Sequence, residues 1–148
     1  MKLCSVIPAR SGSKSISNKN IKLLNGKPLI YYSISYSLEC PLINYTVVST
    51  DSVKIANIAR DCGAEVPFMR PKELAQDNTP DYPFMRHALD SIEKHNNEKI
   101  DAIVLLRPTS PLRPSGLIEK GVKLLNLFPE ATSIRSVAKS KEHPYRQW

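Results

Sequence analysis

The sequence predicts an α/β fold, a three-layer α/β/α sandwich around a mainly parallel sheet. Short apolar or β-branched runs alternate with segments of helical period, in the order β-α-β-α-β-α-β-α-β. The run from Asp101 to Leu106 is apolar without interruption after its first residue, which implies cover on both faces, as in a parallel sheet. Polar, basic loops follow the first strand and this one, at the carboxyl ends where open α/β sheets hold ligands. At 148 residues, the chain fits a single domain, 1–148, with one hydrophobic core.

The first strand is Leu3 to Ile7, ended by Pro8. The loop after it is small, polar and basic, with Arg10, Ser11, Gly12, Ser13 and Lys14, then Lys19 and Asn20. Ser and Gly leave backbone N–H groups accessible, and successive N–H groups in a turn form an anion-binding nest. Arg10, Lys14 and Lys19 add positive charge. Residues 1 to 38 hold six Lys or Arg and no Asp or Glu. That pattern reads as a phosphate cradle; a surface loop of ordinary solvated lysines is the competing reading. The loop is neither an ATPase-type P-loop nor a dinucleotide fingerprint, because Gly12 is its only glycine.

Asn25-Gly26 marks a turn, and Pro28 suits the first position of a helix bearing Leu29, Tyr32, Ser33 and Tyr36 on one face. Ile30, Ile34 and Leu38 lie beside that face, and Pro41 ends the helix. Asn44 to Thr50 reads as the second strand. Asp51 or Ser52 caps a helix with Ile55, Ile58, Ala59 and Cys62 as its stripe and Gly63 as its stop. Asp51, at a strand's carboxyl end, is also a catalytic candidate. Glu65 to Met69 reads as a third strand. The polar connection from Arg70 to Asp81 is long enough to suggest function. A helix from Asp81 and Pro83 to about His95 buries Phe84, Ala88 and Ile92, with His87 a packed or surface residue rather than a ligand.

After the Asp101–Leu106 strand comes Arg107-Pro108-Thr109-Ser110-Pro111-Leu112-Arg113-Pro114. Three prolines fix its shape while two arginines and two hydroxyls are presented from it. It is a candidate site for an anion or a hydroxylated ligand, or else a Pro-rich turn before a helix. Ile118, Gly121, Val122 and Leu125 mark that helix; Ala131 to Ala138 reads as a further strand, and 143–148 as an irregular end.

The net charge of +7 calls for an anionic partner, either nucleic acid or a small molecule. No aromatic residues interleave the basic loop, which argues against single-strand binding. No apolar run approaches a membrane span. Cys4, Cys40 and Cys62 lack metal-ligand spacing, and Cys4 and Cys62, in apolar patterns, read as buried free thiols in a reducing cytoplasm.

Four motifs, in order, carry a resemblance over nearly the whole chain. They are Pro8-Ala9-Arg10-Ser11-Gly12-Ser13-Lys14 with Lys19-Asn20; Val48-Ser49-Thr50-Asp51; Arg70-Pro71 with Glu73-Leu74-Ala75 and Asp77; and Leu106-Arg107-Pro108-Thr109-Ser110-Pro111-Leu112-Arg113. With them the chain resembles the acylneuraminate cytidylyltransferases and their legionaminate and pseudaminate relatives, in a legionaminate-like branch, of nucleotide-diphospho-sugar transferase-like fold. The resemblance implies transfer of CMP from CTP to the anomeric hydroxyl of an acidic α-keto sugar, with release of pyrophosphate. It implies that Arg10 to Lys14, with Lys19, hold the triphosphate, Arg10 and Lys14 being the catalytic candidates. It places Asn20, Arg70, Asp77 and Thr79 near the cytidine, and Arg107, Thr109, Ser110 and Arg146 near the sugar. Ser15 and Ser17 depart from the family's usual Gly and Pro, and Arg107 from its commoner Gln. The resemblance further implies a cytoplasmic homodimer that uses Mg²⁺. Its metal ligands and dimerisation segment are expected beyond the position of Trp148, so that no metal ligand is expected within 1–148.

Three functions are therefore open. The first is a cytidylyltransferase, whose nearest rival is a 3-deoxy-manno-octulosonate cytidylyltransferase; the Pro-Thr-Ser-Pro-Leu-Arg loop argues against that rival. The second is a truncated CTP-binding module with little activity. The third is a basic, nucleic-acid-associated α/β domain; under the first reading the partners are CTP and an acidic sugar, with no nucleic acid.

Overall fold

Leu3–Pro8 forms β1, the central strand of a three-stranded sheet. The computed structural model describes residues 1–12 and 16–138. A 3₁₀ turn, Lys19–Ile21, leads into a small antiparallel hairpin, β2 (Leu23–Leu24) and β3 (Lys27–Pro28). Asn25 and Gly26 turn it with φ of 47° and 77°, the left-handed pair that a two-residue hairpin requires. Then come α1 (Leu29–Leu38), β4 (Ile43–Ser49), α2 (Val53–Asp61), a 3₁₀ turn (Lys72–Ala75), α3 (Asp81–Asn96), β5 (Ala102–Leu105) and α4 (Leu117–Leu127). β4 and β5 both run parallel to β1, in the registers Val6↔Val47 and Val6↔Leu105.

Alternation along β1 separates the layers. Cys4 and Val6 face α3, packing with Val47, Ala88 and Ile92. Ser5 points the other way and meets α1 through hydroxyl contacts, Ser5 Oγ to Ser37 Oγ at 2.5 Å and Ser37 Oγ to Thr46 Oγ1 at 2.7 Å. Small hydroxyl side chains let α1 approach the sheet closely while each buried oxygen keeps a partner. Ile30 and Ile34 complete that layer, with Ile55, Ala56 and Ala59 of α2 also buried. Burial pushes the Cys4 thiol up to about 12.

The backbone divides into two compact units, Met1–Pro114 and Ser115–Trp148. In the second unit, α4 begins at Gly116, whose φ of 71° is the left-handed geometry glycine permits.

Three expectations need correction. Glu65 to Met69 forms no strand. Glu65 alone bridges Val47, donating its N–H to the Thr46 carbonyl and accepting from Val48 N–H; Pro67 lacks the N–H that would extend the ladder. Ala131 to Ala138 also forms no strand. Its apolar residues Ile134 and Val137 stand three apart, so a strand would point them to opposite faces, and Val137 is 88% exposed. Pro28 stands just outside α1, as its N-cap, rather than at its first position.

Candidate active site

The carboxyl ends of β1, β4 and β5 lie on one side because the three strands are parallel. There the loops after them border a cleft of about 270 Å³. It draws Arg10, Lys19 and Asn20 from the first loop, Arg70, Asp77 and Thr79 from the long connection, and Arg107 and Thr109 from the Pro-rich loop. These are eight of the residues singled out by sequence. Ser11, Gly12 and Ser110 are described but do not line it. Ser13, Lys14 and Arg146 lie outside the described residues.

Each cleft arginine is held by a local device. Arg10 pairs with Asp77 at 2.5 Å, and its carbonyl accepts from Asn20 Nδ2 at 3.0 Å. Asn20 is thereby a buried brace of the first loop as well as a cleft residue. Arg107 pairs with Asp81 at the start of α3. Arg70 is almost wholly buried. It donates through Nε to Ser49 Oγ at 2.9 Å and through Nη2 to the Ser49 carbonyl at 2.7 Å, and its guanidinium lies 4.5 Å from the Phe84 ring centre. Burial lowers its pKa to about 10, with Asp51 opposing that shift and Arg10 adding to it. It remains a cation at neutral pH. A fixed, charged, aromatic-backed fork suits a planar polar ligand edge.

Arg113, one of the two arginines expected to be presented to a ligand, does not line the cleft and instead holds the Pro-rich loop. Its Nη1 donates to Ser33 Oγ at 3.0 Å and its Nη2 to the Arg107 carbonyl at 2.6 Å. Tyr36 donates to the Pro114 carbonyl at 2.8 Å. The loop that carries Arg107 and Thr109 is thus fastened to α1.

Asp51 is not the cap of α2. Ser52 is, accepting from Ile55 N–H. Asp51 instead accepts from Ser11 N–H at 2.8 Å and from Ser11 Oγ at 2.7 Å. Ser11, expected to offer its N–H to a phosphate, gives it to Asp51. Sequence reasoning also missed Asp81, Gln76 and Phe84 as cleft residues. No local signal pairs Asp81 with Arg107, because α3 and β5 separate them in the chain.

The model of the family described as Cytidylyltransferase matches residues 4–146. The chain belongs to the cytidylyltransferase family. It is 37% identical over 141 residues to the N-acylneuraminate cytidylyltransferase of Escherichia coli, covering 95% of this chain and 32% of that protein. It is 39% identical over 126 residues to the CMP-N,N'-diacetyllegionaminic acid synthase of Legionella pneumophila, covering 84% of this chain and 53% of that protein. The chain spans about a third to a half of the length of these curated relatives. In fold it is similar to a CMP:2-keto-3-deoxy-manno-octonic acid synthetase complexed with CTP, with a TM-score of 0.70, 20% identity, and cover of 87% of this chain and 49% of that one. The chain has the parallel α/β arrangement the sequence predicts, with the cleft at the strand ends.

Among the described residues no three His, Cys, Asp or Glu side chains converge as a metal site. Asp77 and Asp81, the cleft's carboxylates, each hold an arginine. These residues do not by themselves fit Mg²⁺.

Proposed function

We propose that the protein carrying this chain moves CMP from CTP to the anomeric hydroxyl of an acidic nonulosonic sugar (sialic, legionaminic or pseudaminic acid) and releases pyrophosphate. The observation that supports this reading is the convergence of Arg10, Lys19, Arg70 and Arg107 on one cleft in a cytidylyltransferase-family chain. The relatives' names support the sugar class, being those of N-acylneuraminate, legionaminic acid and pseudaminic acid enzymes. The likeness to the octonic acid synthetase is one of fold alone.

The sugar hydroxyl attacks the α-phosphorus in line. A P–O bond to the sugar forms, the bond to pyrophosphate breaks, and the hydroxyl proton passes to water. Charge grows on the departing pyrophosphate, and cations already aimed at it lower the barrier because little reorganisation is needed. Arg10, Lys14 and Lys19 are assigned that role, with Ser11, Gly12 and Ser13 carrying the backbone between them. Asn20, Arg70, Asp77 and Thr79 are assigned to the cytidine. Arg107, Thr109, Ser110 and Arg146 are assigned to the acidic sugar. Mg²⁺ as a counterion of the phosphates, a homodimer and a cytoplasmic location belong to the same proposal, on the strength of the resemblance. Among the described residues no helix is long and apolar enough to cross a membrane.

The test is pyrophosphate release with CTP, Mg²⁺ and each of the three sugars. Release that requires both CTP and an acidic sugar is expected. CTP binding without sugar-dependent release would make the chain a binding module instead. Salt-sensitive binding of an oligonucleotide, with no CTP binding, would favour the nucleic-acid reading.

A further inference from the structure

β1 and β4 lie side by side, and their ladder continues one step past β1, where Ala9 N–H donates to the Ser49 carbonyl at 2.9 Å. Beyond that step the backbones part. The Asp51 side chain spans the gap, its Oδ1 accepting Ser11 N–H and its Oδ2 accepting Ser11 Oγ. Two bonds from one carboxylate to one residue fix orientation as well as distance. The carbonyl between them, that of Arg10, is held by Asn20. Three consecutive residues are thus each tied to a different anchor, immediately before the loop reaches Gly12.

We propose that Asp51 is a positioning residue for the basic loop: by gripping Ser11 it sets the direction in which the chain leaves β1 at the edge of the cleft, where an anionic ligand would bind. The effect on ligand binding rests on the triphosphate reading above; the grip itself does not. The charge of Asp51 has a second consequence. It favours the cationic form of Arg70, which Arg10 opposes, so it offsets two like charges brought close together without ligand. Ser11 has its N–H and hydroxyl directed to Asp51. Those two groups of Ser11 are therefore not the loop's phosphate contacts.

The test uses the full protein with Asp51→Ala, Asp51→Asn and Ser11→Ala. In the ligand-free state, the Ser11 amide is expected to exchange with solvent about ten- to a hundredfold faster in Asp51→Ala than in the parent, the scale of one charge-assisted hydrogen bond. With substrates, KM for CTP is expected to rise about tenfold while KM for the sugar stays within about twofold, a split that general loss of stability would not produce. Asp51→Asn retains one acceptor oxygen and is expected to recover part of the loss. If Asp51→Ala does not fold, the cycle of Asp51→Asn with Ser11→Ala decides, non-additive effects on CTP KM being expected. Unchanged Ser11 exchange, an unchanged KM for CTP, or additive effects in the cycle would overturn the proposal. Absence of CTP binding in the parent would instead overturn the function proposed above, and the exchange measurement alone would then decide whether Asp51 holds the loop.

Discussion

Arg70 carries a charge into the interior and keeps it by arranging donors around Ser49. Removing the side chain leaves the Ser49 carbonyl and hydroxyl without these donors and exposes a face of Phe84. Arg70→Ala is expected to cost about 3 kcal/mol in urea unfolding, and Arg70→Lys to recover little, because an ammonium does not reproduce the planar, fixed Nε/Nη2 fork on Ser49. In a turnover assay, Arg70→Ala is also expected to lower the preference for CTP over UTP, since a pyrimidine edge is read by fixed polar groups; full retention of that preference would remove Arg70 from base selection. Cys4 gives a pH prediction. Burial raises its pKa from 9.0 to about 12, so between those values the unfolded chain releases a proton that the folded chain retains. Folding is therefore favoured fully below about pH 9, and this contribution is lost as pH rises toward 12. Urea midpoints between pH 8 and 11 should fall less steeply in Cys4→Ala than in the parent. The buried free thiol was legible in the sequence, because it sits in an apolar run. The pairings Arg10–Asp77, Arg107–Asp81 and Asp51–Ser11 were not, because each joins residues that only the fold brings together.

Elements with a strong local period were read from the sequence to within a few residues, α3 and β5 among them. The two strands that did not form were short segments with scattered apolar or β-branched residues and no ladder to join. Glu65 to Met69 reaches β4 for one rung before Pro67 interrupts it, and Ala131 to Ala138 finds no ladder. Strand propensity describes a side chain's fit to a pleated surface, not the presence of a neighbouring strand. The Pro-rich loop behaves as an element of its own. Its shape depends on prolines, which were legible, and on Arg113, whose part was not, because Ser33 and the Arg107 carbonyl meet it only in the fold. Burial lowers the Arg113 pKa, as expected for a guanidinium used as an internal tie. Arg113→Ala is expected to lower stability by about 2 kcal/mol, and Arg113→Lys by nearly as much. The sharper readout is kinetic. KM for the sugar should rise severalfold while KM for CTP stays nearly constant, because the tie holds the loop of Arg107 and Thr109 and not that of Arg10. Equal changes in both constants would mean that Arg113 supports the fold in general.

At the scale of the molecule, the predicted parallel α/β layering is present. The strand order β4-β1-β5 was not legible, since it depends on contacts between distant segments. The charge of +7 was legible from the start, and the structure gives it a direction. The acid-free first 38 residues supply Arg10 and Lys19 to the cleft, and Arg70 and Arg107 join them from later loops. Their field extends past the cleft mouth only as far as salt allows, about 10 Å at 0.1 M and about 3 Å at 1 M. A highly charged triphosphate should feel that range strongly, and a singly charged sugar acid much less. For the proposed reaction, kcat/KM for CTP is therefore expected to fall about tenfold between 50 mM and 500 mM salt, with kcat nearly constant and the sugar's KM changing about twofold. Lys19→Ala should make the CTP slope shallower, because it removes a partly exposed cation from the cleft. Lys54→Ala, on exposed α2 surface away from the cleft, is expected to leave the slope as it is. If Lys54→Ala flattened the slope as much as Lys19→Ala, CTP would be responding to the net charge of the chain, and the convergence of basic residues on the cleft would have no part in its capture.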